Sequence, residues 1–90
     1  MKVFFVYILY SRTKDRFYIG QTDNLEERLI SHNSGKSTYT SRVSDWEIVY
    51  VEEFETRTLS RKRENEIKRK KSRSYIEWLV GSASSRPLSG

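Results

Sequence analysis

The sequence predicts an α/β domain of the α+β kind: a small three-stranded antiparallel sheet flanked by helices, in the order β-β-α-β-α-α. Three observations carry this. Two runs rich in Val, Ile, Phe and Tyr lie either side of a five-residue polar turn, as in a hairpin. A third such run, Trp46-Glu47-Ile48-Val49-Tyr50-Val51-Glu52-Glu53-Phe54, follows much later. Between and after them the apolar residues recur at helical spacing.

The elements follow in order. Residues 3–10 form the first strand. Both of its alternating faces are apolar, Val3, Phe5, Tyr7 and Leu9 on one and Phe4, Val6, Ile8 and Tyr10 on the other. That pattern fits a strand covered on both sides. Residues 16–21 return, and Gly20 marks a bulge or a close backbone approach. Asp23 caps a helix, with Glu26 three residues on as its capping-box partner. That helix runs to about residue 34 and Gly35 stops it. Residues 36–45 are a polar loop before the third strand. A second helix covers about residues 58–71, a break falls at 72–74, and a short third helix covers 75–80. The organisation expected is one domain over residues 1–80 with a disordered tail over 81–90. The expected radius of gyration is ~12 Å for a chain of this length.

Composition narrows the function. The 90 residues contain no cysteine and one histidine. Disulfides, thiolate metal sites, cysteine nucleophiles and multi-histidine zinc sites are thereby excluded. No run is long enough to span a bilayer and none has the form of a signal peptide, so a soluble, cytoplasmic protein is expected, its oligomeric state open and a monomer assumed. The net charge is +5. Residues 57–73 hold nine Lys or Arg and two Glu, a balance of +7, which leaves −2 for the remainder. So concentrated a patch points to a polyanion, with nucleic acid the leading candidate, or else to a solvated charged helix.

Three placements bear on chemistry. On the first helix, Arg28 and His32 fall on the face that Leu25 and Leu29 turn to the core. An arginine head there either finds a structural partner, snorkels at the core edge, or lines a cleft that receives an anion. His32, one turn on, suits proton transfer. Tyr7 and Tyr18 sit on strands that pair, where a tyrosine hydroxyl usually bonds a neighbour. Glu64 stands among cations at the border of the second helix's apolar stripe, as an ion-pair partner or as a ligand for a hard cation.

Together these residues resemble the GIY-YIG nucleases. Tyr18-Ile19-Gly20 matches the family's second motif, and Phe5-Val6-Tyr7 keeps the tyrosine of the first while lacking its glycine. The run from Tyr18 through Arg28, then His32-Asn33-Ser34-Gly35-Lys36 and Tyr39-Thr40, looks like the small stand-alone bacterial members, which are related to the N-terminal nuclease domain of the excision-repair endonuclease. Glu64 followed by Ile67-Lys68 is similar to the family's glutamate motif.

The resemblance implies a DNA endonuclease of low sequence specificity, in DNA repair or processing, dependent on one Mg2+ or Mn2+ ion. It assigns Tyr7 and Tyr18 to the scissile phosphate, with Tyr7 the stronger candidate for deprotonating the attacking water. It assigns Arg28 to charge stabilisation, His32 to proton transfer and Glu64 to the metal. DNA contacts are expected from Lys36, Arg61, Lys62, Lys68, Arg69, Lys70 and Lys71. Several members carry an asparagine about twelve residues beyond the glutamate, where this chain has Ile76. The competing readings are a catalytically inactive nucleic-acid-binding module and an interaction protein whose basic helix meets an acidic partner.

Overall fold

The computed structural model describes residues 2–34 and 43–84. Strands β1 (Phe4–Ser11), β2 (Arg16–Thr22) and β3 (Trp46–Phe54) form one antiparallel sheet, with β1 in the centre in the order β2-β1-β3. Helices α1 (Leu25–Asn33), α2 (Arg57–Lys70) and α3 (Arg73–Ser84) complete the element order read from the sequence. The principal extents are 31 × 29 × 29 Å, with a radius of gyration of 12.9 Å.

β1 is apolar on both faces because both are covered. Val6 and Ile8 pack with Ile67 of α2 and Leu79 of α3. Tyr7 and Leu9 point the other way, against Trp46 and, on α1, Leu25 and Leu29. Truncating a side chain such as Ile67, 1% exposed, should cost about 2–5 kcal/mol.

The β1–β3 register shifts by one residue between Ile8 and Leu9: Ile8 pairs with Tyr50, whereas Leu9 pairs with Ile48. Val49 is the extra residue. Without this bulge Ile48 and Tyr50 would share a face. With it, Tyr50 joins the α2–α3 layer and Ile48 the α1 layer.

The cap of α1 lies one residue from where the sequence placed it, and α2 starts one residue before the expected position 58. Asn24, not Asp23, caps α1, its Oδ1 accepting from the Glu27 amide at 3.1 Å. Asp23 instead pairs with Lys2 at 3.1 Å and Arg57 at 3.6 Å. An acid with two cations in reach serves better as a tether between chain start, α1 and α2 than as a cap. Thr56 caps α2 through the Leu59 amide, and Lys71 closes that helix in the left-handed conformation at φ 47°. α3 starts two residues earlier than expected and continues through Gly81 to Ser84, beyond the boundary expected at residue 80. Gly35, Lys36, Tyr39, Thr40 and the end of the expected tail lie outside the described residues.

Polar clamps lock the layers together. Asp45 accepts from Ser11 Oγ at 2.7 Å and from the Thr13 amide and hydroxyl at 2.9 Å, tying the β1–β2 turn to the start of β3. These donors, led by the Ser11 hydroxyl, hold the Asp45 carboxyl down to about 2. Arg63 reaches Glu52 on β3 through Nε and Nη2 at 3.0 Å each, and Glu52 also accepts from the Tyr50 hydroxyl. At the hairpin, Asp15 in the left-handed conformation (φ 52°) receives Tyr10 and Arg73 at 2.6 Å each.

Candidate active site

β1, β2 and α1 bring four of the five expected catalytic side chains together. Tyr7 projects from β1 to the α1 side of the sheet, and its register partner on β2 is Gly20. The phenol lies across that glycine. A Cβ at position 20 would meet Tyr7 Oη at 2.5 Å and Cζ at 2.7 Å. The second motif's glycine therefore clears a path for the tyrosine of the first. This is the close approach its position in a strand suggested, while the sheet's bulge lies elsewhere, at Val49.

Across Gly20 the Tyr7 hydroxyl meets His32 Nε2 at 3.1 Å. Tyr7 is 1% exposed and His32 0%. Tyr18 packs its ring on the imidazole with centroids 4.7 Å apart, and on Tyr7 at 6.4 Å. Trp46 closes the far side of Tyr18 at 6.5 Å. Of the readings open for Arg28, the structure shows it half-buried beside both phenols. Hydrogen bonding to the Tyr7 hydroxyl is the main influence raising its pKa, and the Tyr18 phenol adds to it.

The electrostatics separate the site into two layers. Burial pushes the Tyr7 phenol up; Arg28 opposes the shift, while Tyr18 and Glu64 reinforce it. Burial, then the charge of Arg28, pushes His32 down to about 4. At neutral pH the inner layer is thus a neutral phenol facing a neutral imidazole. The outer layer is Arg28 and Tyr18, both half-buried.

Glu64 comes from α2, on the other side of the sheet. Its side chain is 15% exposed, and its charge reaches Tyr7. Both sequence readings bear on it: its carboxylate already holds a cation, the Lys68 ammonium at 2.7 Å. Among the described residues no group of three or more His, Asp or Glu forms a metal cluster.

The sequence did not single out Asn33. Its side-chain amide donates to the Trp46 carbonyl at 3.0 Å and accepts from the Trp46 amide at 2.8 Å. It thereby pins the end of α1, and His32 beside it, to the first residue of β3. An amide that satisfies both backbone groups of one distant residue leaves no periodic trace. Ile76, where relatives of the resembled family place an asparagine, packs in the α2–α3 core.

The basic residues divide. Arg61, Lys62 and Arg69 are exposed on the outer face of α2, with Arg57, Thr58 and Asn65 around them. Lys71 is exposed at the helix end. Lys68 is engaged by Glu64, and Lys70 lies over the Tyr75 ring at 5.3 Å. No helix among the described residues is long and apolar enough to cross a membrane.

Comparison with known proteins gives a consistent result. The family pattern of the GIY-YIG catalytic domain matches residues 3–76. A UPF0213 protein of Natronomonas pharaonis is 36% identical over 77 residues, covering 84% of this chain and 88% of its own. Another UPF0213 protein, from Staphylococcus saprophyticus, is 39% identical over 64 residues, covering 69% and 78%. A third, from Clostridium perfringens, is 40% identical over 67 residues, covering 72% and 70%. No solved structure matches significantly.

Proposed function

This chain belongs to the GIY-YIG family and carries its nuclease-type catalytic domain, and we propose that it is a divalent-metal-dependent DNA endonuclease of low sequence specificity, acting in DNA repair or processing. The observation that carries this reading is the convergence of Tyr7, Tyr18, Arg28 and His32 on one point between the sheet and α1, within reach of the Glu64 charge. An interaction surface has no need of a buried phenol–imidazole pair beneath an arginine. Low specificity is our reading of the described elements, among which no helix or strand stands apart from the sheet-and-helix domain as a base-reading module.

The outer layer receives the phosphate. Arg28 offers a planar fork to its oxygens, and Tyr18 lies beside it. In the hydrolysis, water forms a new P–O bond, the bond to the leaving oxygen breaks, and that oxygen takes up a proton from solvent. The attacking water must lose a proton. Tyr7 alone is a poor acceptor, since burial disfavours its anion. Its hydroxyl passes its own proton to His32 Nε2 as the water proton arrives, so no free phenolate forms. The imidazolium so produced is disfavoured in the free protein first by burial and then by the charge of Arg28. A bound phosphate offsets the Arg28 charge and makes His32 a better acceptor when substrate is present.

Glu64 is the residue that would hold the ion. A single, mostly buried carboxylate that already seats an ammonium fits a hard cation that takes one carboxylate and completes its shell with water and phosphate oxygens. When bound, such an ion supplies positive charge against the phosphate oxygens. Mg2+ and Mn2+ both suit the site.

The test is nicking of supercoiled DNA with and without Mg2+ or Mn2+. Wild type should nick in the presence of the ion. Glu64→Ala should abolish nicking while leaving the melting temperature and DNA binding intact. A Glu64→Ala variant that nicks at the wild-type rate in saturating metal removes Glu64 from the ion's site. A wild type that binds DNA and cuts nothing favours the non-catalytic binding module.

A further inference from the structure

Away from this site, α3 exposes its largest side chain. Trp78 is 62% exposed, the most exposed of the large hydrophobic residues described. It is held in place on one side. Tyr75, one turn earlier, stacks against it with centroids 6.1 Å apart and planes 27° from parallel. Tyr75 is in turn fixed to α2: its hydroxyl accepts from Arg63 Nη1 at 3.4 Å, and the Lys70 ammonium lies over its ring. Arg63 is itself anchored on Glu52. The outward face of the indole is therefore a preorganised aromatic surface, with no role in the core.

The groove beside its Tyr75 support is mainly cationic: it is shallow, about 460 Å³, and lined by Arg63, Glu66, Arg69 and Lys70. Arg69 also belongs to the exposed basic face of α2 with Arg61 and Lys62. At about 100° per residue, Glu64 and Arg63 sit on opposite flanks of the buried stripe that contains Ile67. The basic outer face lies between these flanks on the solvent side. It thus links the Glu64 edge of α2 to the aromatic pair.

We propose that Trp78, backed by Tyr75, which has Arg69 and Lys70 beside it, is a stacking platform for an unpaired base of a DNA strand that crosses the outer face of α2 from the candidate active site. The chemistry is that of single-strand recognition, in which a flat aromatic face takes a base of any identity and neighbouring cations take the phosphates. A paired base inside a duplex hides its face in the stack and gains nothing from such a platform. The inference rests on the reading that the substrate is DNA, and it narrows that substrate to one with unpaired nucleotides near the cut.

Fluorescence titration of the 90-residue chain tests this, with no divalent ion present so that cleavage is not involved. Of the two tryptophans, Trp78 is open and Trp46, 7% exposed, packs on Tyr18 at the candidate site, so the quenching that Trp78→Phe removes is the part that reports on Trp78. A thymidine oligonucleotide of about ten residues should quench it, and a blunt duplex should quench it far less. Trp78→Ala, read by anisotropy of labelled DNA, should weaken oligonucleotide binding roughly 5- to 150-fold, the range for loss of one stacked base. Trp78→Phe should retain most of the affinity, and duplex binding should be unchanged in both variants. An equal loss for duplex and single strand in Trp78→Ala, or no loss for either, overturns the platform. So does concentration-dependent self-association in light scattering that Trp78→Ala abolishes, since a second copy then covers the indole. Wild type that binds the oligonucleotide through Trp78 yet never nicks would sink the nuclease reading and leave the platform standing.

Discussion

Tyr7 Oη and His32 Nε2 lie 3.1 Å apart, in a contact that solvent barely reaches. β1 supplies one partner and α1 the other, so the bond joins strand to helix through the centre of the candidate site. Tyr7→Phe keeps the ring over Gly20 and removes only the hydroxyl. Losing a buried partner for His32 should cost ~1–3 kcal/mol. If Tyr7 is the proton acceptor, single-turnover nicking at saturating DNA should fall roughly 10²–10⁴-fold. Wild-type cleavage by a folded Tyr7→Phe would remove Tyr7 from proton transfer.

The same pair makes stability depend on pH. His32 titrates at about 4 in the fold and near ~6.5 when unfolded. Between these values the unfolded chain binds the extra proton, so stability is full above about pH 6.5 and falls as pH drops toward 4. A shift of this size corresponds to roughly 3 kcal/mol as an upper bound. The lowered carboxylates Asp15, Asp23 and Asp45 give up their contributions only further down, below about pH 4. Urea unfolding at pH 7, 6, 5 and 4.5 should show the His32 loss alone, and His32→Gln should flatten it. A wild type equally stable at pH 7 and 4.5 would contradict the buried neutral imidazole.

Gly20→Ala should do more than its single methyl suggests. The new Cβ would sit 2.5 Å from the Tyr7 hydroxyl oxygen and 2.7 Å from Cζ, with Tyr18 Cε2 at 3.2 Å. The phenol is packed against His32 and has no free direction in which to yield. Overpacking of this kind costs about 1–3 kcal/mol, and the displaced hydroxyl should lose its imidazole. Because the clash is with Tyr7, the two positions should couple. Once Tyr7→Ala has been made, adding Gly20→Ala should change the melting temperature little. Additive effects in that cycle would show that Gly20 acts through something other than the phenol.

The reach of the sequence is clearest at Arg28 and His32. Helical spacing alone put both on the core-facing side of α1, and His32 is fully buried. The two covered faces of β1 were legible for the same reason: an all-apolar strand has no face suited to water. Val49 shows the limit. Every residue from Ile48 to Val51 is apolar, so the pattern offers no register, and only the observed pairing reveals which residue is extra. The α1 cap was misread because Asp23 and Asn24 are both good capping residues. What separated them was Arg57, 34 positions away in the chain and next to Asp23 in the fold. Asn33 and the Arg63–Glu52 clamp were invisible for the same cause, since their partners are set by tertiary packing.

Lys68 has the least conventional place among the basic residues. It was expected to contact DNA, yet in the free protein its ammonium lies 2.7 Å from Glu64, one turn back on α2. A Glu followed by a Lys four residues on is a favourable helical pair worth about 0.3–0.5 kcal/mol. With Lys68 half exposed, that small sum is also all that holds it there. The pair has a consequence for the ion proposed at Glu64, because the ammonium and a divalent cation compete for one carboxylate. Lys68→Met should therefore bind Mn2+ more tightly in the absence of DNA, by roughly two- to tenfold, from the lost pairing and one fewer neighbouring positive charge. The melting temperature should hardly move. Titration of Mn2+ followed by electron paramagnetic resonance measures this directly, with Glu64→Ala as the variant that should bind least. With DNA present the order should reverse for the polyanion: an ion on Glu64 frees the ammonium for a phosphate, so Lys68→Met should bind DNA more weakly in Mn2+ than wild type does. Unchanged Mn2+ affinity in Lys68→Met, alongside weak binding in Glu64→Ala, would mean that Lys68 leaves the carboxylate without cost and sets no threshold for the ion.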